Sequence, residues 1–599
     1  MRDFSKFLIK NLFFSFSKAN TYRKMSTYRK AFVRHLEAED TLKINFSFGT
    51  AEFTEKNFGF VRSKNEKLET TLARMQLKIL DAMTKKLSKK KKRAVTDDNE
   101  TNSLPNITIE LFNKEDLVSN SENCFNAWTL STELKINEVV YQIIQNPPTV
   151  LQISLPRSVM AGFPIYPKIG LEFCSKEHCQ FNWFRSISKN SIETCYQDDI
   201  VKIKGESWLP ICQSFIYVIQ KSDIGCRLKL TCLPKCEDKT GVEESAISPD
   251  IVQPGPKRCP FEDRHEYTKE VTKTGSLRCV SYNILADLYA DTDTARNDLF
   301  PYCPIDALMV DYRKQLYLKE IIGYNGDIIC LQEVDRKIFS DDLLPVLSTT
   351  GLEGLYNEKG GRVVEGLACF YRASKFKLIE SHSIILSEAF PTEPVLQKMY
   401  SKINENEKLK QKIMSRTTAL QVILLESTDV PKKRVLVGNT HLYFHPKSDN
   451  IRLIQGSSCI LYLESLLLKY RQQDPSHTTG LIFSGDFNSS PDCGIYQLIT
   501  SRHLKNTFKD WNSNPEEFVP GLALEHSLSM ASACGIPDYT NYTEGFVGCL
   551  DYIYYDASTF KVCDVVPFPK HEQVIKNRAI PSIEFPSDHL ALISTLEWK

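Results

Sequence analysis

Polar residues that could bind a metal ion follow one strongly apolar run in the second half of the chain. Leu481-Ile482-Phe483-Ser484-Gly485 is typical of a buried strand, and Asp486-Phe487-Asn488 comes directly after it. Alternate residues of an extended chain point to the same side, so Asp486 and Asn488 should project together while Phe487 turns to the core. A carboxylate beside an amide oxygen is a hard donor set that suits Mg²⁺. A polar turn explains the same residues, because Asp, Asn and Ser also end strands.

Four more strand-like segments between residues 277 and 599 end in polar residues. The segment that begins at Leu277 ends in Asn283, and the apolar run that begins at Asp327 ends in Glu333. The third ends in His441, and the fourth is a pair of segments, one carrying Asp551 and the other Asp588 and His589. Strands alternate here with helical stretches, which predicts an α/β fold. A single Glu or His at a strand end is unremarkable, but five polar strand ends in one region indicate a shared site.

Together and in this order, these segments resemble the exonuclease–endonuclease–phosphatase superfamily of Mg²⁺-dependent phosphodiesterases. The resemblance covers nearly all of residues 277–599, and it implies that residues 276–599 form a catalytic two-sheet α/β sandwich. Within the superfamily, the segments that begin at Glu365, Asn439 and Thr540 resemble the poly(A)-degrading nucleases. One difference is Phe444, which stands where that branch is expected to carry Trp.

The resemblance implies a chemical role for each of these polar residues. Mg²⁺, with Mn²⁺ as the alternative, offsets charge on the phosphate and leaving oxygens during hydrolysis. The metal ligands are expected to be Glu333, Asp486 and Asn488. The catalytic residues are expected to be Asp486, His589, His441, Asn283 and Asp551. Asp551 should fix the His589 tautomer, and the proton acceptor is open between Asp486, His589 and a metal-bound hydroxide.

Four further residues are expected to contact the substrate: Glu365, Phe546, Arg452 and Asp588. By the pattern of the poly(A) nucleases, Phe546 lies near the adenine, where an aromatic ring under a base contributes about 1–3 kcal/mol. The alternative for Phe546 is an ordinary packed loop aromatic, because stacking and core aromatics look alike in a sequence.

The first half of the chain is predicted to be a smaller, mainly-β, sandwich-like domain over residues 40–245, because short β-rich segments recur between turns. A basic run at residues 85–93 is interpreted as a mobile, solvated loop. Seven cysteines between residues 174 and 236 raise the alternative of a zinc site, but no C-x-x-C pair supports it. The polar, Pro-containing stretch 246–275 is predicted to be a linker.

The amino terminus carries a targeting-like composition. Residues 1–36 hold nine basic residues against the single acid Asp3, with Ser, Phe and Leu between them. This composition predicts a mitochondrial transit segment and a location in the mitochondrial matrix; a basic tail is the alternative. With 75 Lys and Arg against 74 Asp and Glu, no overall basic excess indicates nucleic acid, and no apolar stretch is long enough to predict a membrane span.

The main hypothesis is a Mg²⁺-dependent phosphodiesterase. The β-rich first half, the basic start and the nuclease-like second half resemble mitochondrial phosphodiesterases of this branch. That resemblance implies hydrolysis of 2′-5′-linked oligoadenylate and of 3′ poly(A) tails of RNA as a 3′ exoribonuclease, with no obligate protein partner. The alternatives are a phosphoesterase acting on inositol phosphate, sphingomyelin or abasic DNA, and a catalytically silent RNA-binding protein.

Overall fold

The computed structural model describes residues 29–50, 53–91, 107–187, 200–203, 206–361 and 363–599. The chain divides into two compact units. The first runs to Val150 and takes in Leu171–Cys179 and Leu233–Glu243, whereas the second comprises Leu151–Gly170, Gln180–Cys232 and Glu244–Lys599. The predicted single domain over residues 40–245 is therefore wrong, because much of that stretch belongs to the second unit.

The first unit is one mixed sheet covered by one long helix. Its strands are β1 (Arg29–Arg34), β2 (Thr41–Phe48), β3 (Lys56–Ser63), β4 (Ile109–Asn113), β5 (Asp116–Leu117), β6 (Thr132–Ile136) and β7 (Val139–Gln145), in the order β3-β2-β1-β7-β6-β4-β5. Helix α1 (Leu68–Lys91) packs Met75 and Ile79 into the same core as Ile44 and Phe46 of β2. Since a helix rather than a second sheet covers this face, the sandwich-like prediction is wrong for this unit.

Two predicted segments of the first half have a different structure. Helix α1 continues to Lys91, so most of the predicted mobile loop at residues 85–93 is helical; Lys is a good helix former. The end of the predicted transit segment is strand β1, in which Ala31 and Val33 are fully buried. The boundary at residue 36 is therefore wrong, because removing β1 would take a central strand from the sheet. Residues 1–28, where the rest of that prediction falls, lie outside the described residues.

The second unit begins with a five-stranded sheet. Its strands are β8 (Gln180–Ser186), β9 (Val201–Ile203), β10 (Glu206–Cys212), β11 (Leu228–Leu233) and β12 (Glu244–Ile247), in the order β9-β10-β8-β11-β12. The predicted linker 246–275 is also wrong, because it starts within β12 and then packs. Cys259 and Phe261 are buried, and the buried Arg264 donates hydrogen bonds to the carbonyls of Pro567 and Ala591.

Two six-stranded sheets form the remainder of the second unit. They contain β13 (Ser276–Asn283), β14 (Ile328–Asp335), β15 (Leu352–Glu358), β16 (Glu365–Arg372), β17 (Phe376–Ile385), β18 (Ala419–Ser427), β19 (Lys433–His441), β20 (Thr478–Asp486), β21 (Met530–Ser532), β22 (Asp551–Asp556), β23 (Phe560–Val565) and β24 (Leu592–Trp598). One sheet has the order β15-β16-β14-β13-β24-β23 and the other β17-β18-β19-β20-β22-β21. Asn439 of the second sheet donates to the carbonyls of Leu331 and Ala368 in the first, which ties the two faces together.

Helices cover this sandwich. The longer ones are α2 (Val310–Tyr324), α3 (Gln397–Ile403), α4 (Glu407–Met414), α5 (Asp449–Gln473) and α6 (Gly494–Ser501), and shorter helices lie at Phe261–Arg264, Asp287–Ala290, Ile305–Leu308, Arg336–Ile338, Leu344–Leu347, Leu386–Ala389 and His571–Val574. The first unit has its own short helix at Cys124–Ala127. Further short strands lie at Thr149–Ser154, Pro164–Ile165, Lys168–Glu172, Tyr217–Val218, Lys235–Cys236, Lys239–Thr240, His503–Leu504, Leu524–Glu525, Asn541–Tyr542 and Val547–Gly548. Within the described chain, α5 alone is long and apolar enough to cross a membrane, and most of it is buried in the sandwich core.

Candidate active site

Three neighbouring strands of the second sheet bring polar residues side by side. Strands β19 and β20 are parallel, and His441 is the register partner of Asp486 at their carboxyl ends. Strand β22 is antiparallel to β20 and begins at Asp551, which is the other register partner of Asp486. All three side chains are buried. Backbone pairing alone therefore places an imidazole and two carboxylates in one row.

The facing sheet supplies Asn283 and Glu333 from the ends of two parallel strands. The register of β14 against β16 shifts between Leu331 and Val334, and Glu333 has a φ of 54°. A bulge next to a site re-aims a side chain, and a left-handed conformation at a residue with a β-carbon costs free energy of order 1–3 kcal/mol. Gln332 donates to Asn439 between the sheets. The irregular backbone is what turns the neighbouring Glu333 into the site.

The amide of Asn283 joins the two sheets' carboxylates. Its Nδ2 donates to Glu333 Oε1 and to Asp486 Oδ2, at 3.0 Å in each case. Glu333 also accepts from the backbone N–H of Ala286 at 3.0 Å. Burial raises the pKa of Glu333 to about 7, and burial with the nearby Asp551 raises the pKa of Asp486 to about 6. These two carboxyls are costly as buried anions and would gain from a cation between them.

Two imidazoles, those of His441 and His589, lie beside Asp486, and each has a partner of different charge on its other nitrogen. His441 Nε2 lies 3.6 Å from Asp486 Oδ2 and 4.0 Å from Glu333 Oε1, and its Nδ1 lies 3.2 Å from the Lys359 ammonium. Burial, followed by the charge of Lys359, holds the pKa of His441 well below its ordinary value. His441 is therefore a neutral imidazole at physiological pH.

His589 has the opposite charge state. Its Nε2 lies 3.6 Å from Asp486 Oδ2, and its Nδ1–H donates to Asp551 Oδ2 at 2.8 Å. Thr540 Oγ1 donates to the same Asp551 oxygen at 2.6 Å and orients the carboxylate. Burial opposes a charge on His589, but the carboxylates of Asp551 and Asp486 hold its pKa well above the ordinary value. His589 is therefore an imidazolium with both N–H groups available as donors.

The donors around Asn283 fit a hard divalent cation. The inward groups are the carboxylate oxygens of Glu333 and Asp486, with no thiolate among the site residues described above. Asp486, Asp551 and His589 also lie close enough together to ligate an ion. In that group of three, His589 already donates its Nδ1 proton to Asp551, and this hydrogen bond explains why the residues lie close together. The position beside Glu333 is therefore the better cation site.

Asn488 supports Asp486. Its backbone N–H donates to Asp486 Oδ1 at 2.9 Å, and its side-chain Nδ2 donates to the carbonyl of Leu442 at 3.0 Å. Asn488 has a φ of 49°, a left-handed conformation that Asn tolerates better than most residues. The structure thus places Asn488 next to the predicted metal ligand Asp486.

The four predicted substrate-contact residues lie in different surroundings. Glu365 is fully buried and pairs with Lys359 beside His441, so it borders the site. Phe546 is 46% exposed in a turn, where its backbone carbonyl accepts from the Thr543 N–H at 2.8 Å. Asp588 accepts from Asn541 Nδ2 at 3.1 Å, which braces the hairpin that carries Phe546.

Arg452, the fourth of these residues, forms its hydrogen bonds within the protein. It is buried, and its guanidinium donates to the carbonyls of Tyr443, His445 and Pro446. Its terminal nitrogens are used within the protein, since they also pair with Asp449, while its buried Nε has no hydrogen-bond partner among the described residues. A substrate contact of Arg452 stays a prediction. Arg452 holds the loop that follows His441 and presents Phe444, which is 69% exposed.

Comparison with known proteins places the chain. Residues 280–589 match the family model described as Endonuclease/Exonuclease/phosphatase family. The chain belongs to the endonuclease/exonuclease/phosphatase family. Residues 147–252 match the model described as 2′,5′-phosphodiesterase 12-like, N-terminal domain. The 2′,5′-phosphodiesterase 12 of Rattus norvegicus is 38% identical over 598 residues, which cover 97% of this chain and 96% of that relative.

Two further similarities concern the second half. The CCR4-Not complex 3′-5′-exoribonuclease subunit Ccr4 of Schizosaccharomyces pombe is 28% identical and covers 55% of this chain and 50% of that protein. The crystal structure of ANGEL2, a 2′,3′-cyclic phosphatase, in complex with adenosine-2′,3′-vanadate has a TM-score of 0.45 at 22% identity, covering 55% of this chain and 97% of that one. The predicted family, with its poly(A)-nuclease branch, and the two-sheet α/β fold are confirmed.

Sequence reasoning missed two residues of this family site. Thr540 lies in a segment that resembled the poly(A) nucleases, and its short distance in sequence from Asp551 was the available signal. Lys359 had no signal of its own, because a lysine beside two glycines is typical of a solvated turn. Its place next to His441 depends on the hairpin between β15 and β16.

Proposed function

We propose that the protein is a Mg²⁺-dependent phosphodiesterase that hydrolyses 2′-5′-linked oligoadenylate and removes 3′ poly(A) tails from RNA as a 3′ exoribonuclease. The observation that carries the proposal is the Asn283 amide, which lies 3.0 Å from Glu333 and from Asp486 while both imidazoles face Asp486. The names of the relatives, a 2′,5′-phosphodiesterase and a 3′-5′ exoribonuclease, support the substrate class.

Glu333 and Asp486, supported by Asn488, would hold the ion. When bound, Mg²⁺ offsets negative charge on the phosphate and on the leaving oxygen, and Mn²⁺ has the same preference for oxygen ligands. Asn283 keeps the two carboxylates at a fixed separation, so they are oriented before the ion arrives. A preorganised pair of anions is what an ion with strict octahedral geometry needs.

The remaining residues act on the phosphate and on the water. His441, as a neutral donor at Nε2, stabilises a non-bridging oxygen as negative charge builds there. His589 carries a proton on Nε2 that it can give to the leaving oxygen, and Asp551 stabilises its charge. Asp486 lies between the two imidazoles and accepts the proton of the attacking water.

The exposed ring of Phe546, on the hairpin next to Asp588, supports a substrate that contains a base. Phe546 presents an exposed ring, and Gly548 beneath it leaves room for that ring, since a β-carbon there would lie 2.9 Å from the ring atom Cζ. A ring on a short braced hairpin is a stacking platform for a base. Adenine is proposed from the resemblance to the poly(A) nucleases and from the names of the relatives.

The test measures product release with defined substrates. The wild-type chain should shorten 2′-5′ and 3′-5′ oligoadenylate with Mg²⁺ and not with EDTA, and should be slower on oligocytidylate. Asp486→Ala should reduce turnover at least about 10²-fold, because it removes both a metal ligand and a proton acceptor. Turnover of inositol phosphate, sphingomyelin or abasic DNA in preference to oligoadenylate would overturn the substrate. RNA binding without any Mg²⁺-stimulated cleavage would overturn the enzyme.

We also propose that the protein acts in the mitochondrial matrix. The support is the composition of residues 1–28, which are basic, poor in acids and interleaved with Phe, Leu and Ser. Residues 1–28 fused to a fluorescent protein should colocalise with a matrix marker, and the chain lacking them should not. A cytosolic fusion would refute this location without touching the proposed chemistry.

A further inference from the structure

Lys359 lies inside the site although it belongs to a surface hairpin. It follows strand β15, and its backbone N–H donates to the carbonyl of Glu365 at the start of β16, 3.2 Å away. Its side chain is only 13% exposed and forms an ion pair with Glu365, which is fully buried. From that position its Nζ reaches His441 Nδ1 at 3.2 Å. A buried ammonium is thus held directly behind an imidazole of the catalytic set.

The chemistry of an ammonium determines the state of that imidazole. A lysine ammonium has three donors and no acceptor, so Nδ1 of His441 must accept. A neutral imidazole that accepts at Nδ1 carries its proton at Nε2. Nε2 is the atom that lies 3.6 Å from Asp486 and 4.0 Å from Glu333. The proton of His441 is therefore directed toward the two carboxylates of the proposed cation site, where the phosphate of a substrate would approach the ion.

We infer that Lys359 is a positioning residue for phosphodiester hydrolysis, which locks His441 as an Nε2–H donor aimed at the phosphate. The inference rests on the proposed function, because it assigns a role within the same site. Glu365 completes the arrangement by holding Lys359, and Tyr289 OH donates to the same Glu365 oxygen at 3.1 Å. The chain Glu365–Lys359–His441 is then a support for the phosphate donor.

A purely structural ion pair is the competing explanation. Burying a lysine and a glutamate together costs desolvation that their attraction only partly repays, and such pairs are weak evidence for stability. Glu365 Oε2 is buried without a hydrogen-bond partner in the described structure, so the pair is not even fully satisfied. An incompletely satisfied pair that touches His441 is better explained by its effect on His441 than by its contribution to folding.

A double-mutant cycle tests the inference. Lys359→Met, His441→Asn and the double variant are assayed for kcat and KM on oligoadenylate with saturating Mg²⁺. Losing a support of this kind typically costs about 10–100-fold, and losing the donor itself about 10²–10³-fold. We expect Lys359→Met to lower kcat by about 10–100-fold, and to have less than about a threefold effect when His441 is already Asn. Additive effects would show that Lys359 does not act through His441.

Two further variants exclude a general loss of structure. Lys359→Arg keeps a donor-only cation and should recover most of the lost kcat. Lys375 is the matched control: it is equally buried, pairs with Asp327 and donates to the Ser276 carbonyl at the start of β13, the opposite end from Asn283. Lys375→Met should lower the melting temperature and leave kcat per folded molecule unchanged. Equal kcat losses for the Lys359 and Lys375 variants would overturn the inference.

A readout that needs no turnover separates this inference from the proposed function. In full-length, deuterated protein with ¹⁵N-labelled histidine, the His441 signal, assigned by its loss in His441→Asn, should show an unprotonated Nδ1 and a protonated Nε2. Lys359→Met should move the Nδ1 shift. A protonated Nδ1 in the wild type would refute the tautomer even if oligoadenylate is cleaved. Inactivity on oligoadenylate with the expected shifts would refute only the substrate.

Discussion

Replacing Asn283 by alanine should weaken metal binding without unfolding the protein. The buried Asn283 amide donates one hydrogen bond to each of two carboxylates, at 3.0 Å in each case. A hydrogen bond to a charged group contributes about 1.5–3 kcal/mol net. Without the amide, Glu333 and Asp486 are free to separate, and the ion must then orient them itself.

The size of the effect follows from that loss of preorganisation. Losing the groups that orient metal ligands typically costs about 10–100-fold in affinity, which equals about 1.4–2.7 kcal/mol. That range is close to the net contribution of about 1.5–3 kcal/mol expected from one of the two lost bonds. We therefore expect Asn283→Ala to raise the Mg²⁺ concentration for half-maximal oligoadenylate hydrolysis by about 10–100-fold, with much of the rate restored at high Mg²⁺.

Asn439→Ala provides the matched control for this assay. Asn439 is also a fully buried amide near the carboxyl end of a strand, but its hydrogen bonds go to backbone carbonyls, to Gln421 and to Gln332, none of which is a proposed metal ligand. This variant should lose stability and keep its Mg²⁺ dependence. An unchanged Mg²⁺ midpoint in Asn283→Ala, or equal shifts in the two variants, would refute the idea that Asn283 sets the separation of the metal ligands.

Three other predictions concern the rim, a loop and the core. Phe546→Ala should raise KM for oligoadenylate by about 5–150-fold while Phe546→Tyr does not, and equal KM values for the two would refute stacking. Arg452→Met should remove the hydrogen bonds to the carbonyls of the loop after His441, lower the unfolding free energy by about 1–3 kcal/mol and raise KM; an unchanged melting temperature would contradict this. Burial lowers the pKa of His265 to about 4, so the unfolded chain takes up the proton first as pH falls from about 6.5 to 4. Urea unfolding should therefore show a loss of about 3 kcal/mol from pH 7 to pH 4 that is missing in His265→Gln, and parallel pH curves would refute it.

The site was predictable because its residues follow locally recognisable runs. Each of Asn283, Glu333, His441 and Asp486 ends an apolar strand, and parallel strands bring their carboxyl ends to one edge. The position of Asp551 and His589 needed the family resemblance, because the strands that contain or follow them are antiparallel additions. The backbone irregularity at Glu333 has no signature in the residue types.

The errors have physical reasons in the neighbouring structure. The stretch 246–275 is rich in Pro and polar residues, but Cys259 and Phe261 pack into the core and Arg264 donates to carbonyls of the sandwich. The charge of the run at residues 85–93 predicts a loop, but most of the run continues the amphipathic helix that starts at Leu68. Local composition cannot show contacts with residues far along the chain.

The two imidazoles beside Asp486 have different chemical roles because the charged residues that contact them differ. Each Nε2 lies 3.6 Å from Asp486 Oδ2, so their positions toward the reacting centre are equivalent. The other nitrogen, Nδ1, contacts the cation Lys359 in His441 and the anion Asp551 in His589. The first partner keeps an imidazole neutral with one directed proton, and the second keeps an imidazolium. Environments that push the pKa values of like groups apart separate acid from base roles. The same reasoning makes His441 the hydrogen-bond donor to the phosphate and His589 the proton source, because only an imidazolium is acidic enough to transfer its proton near neutral pH.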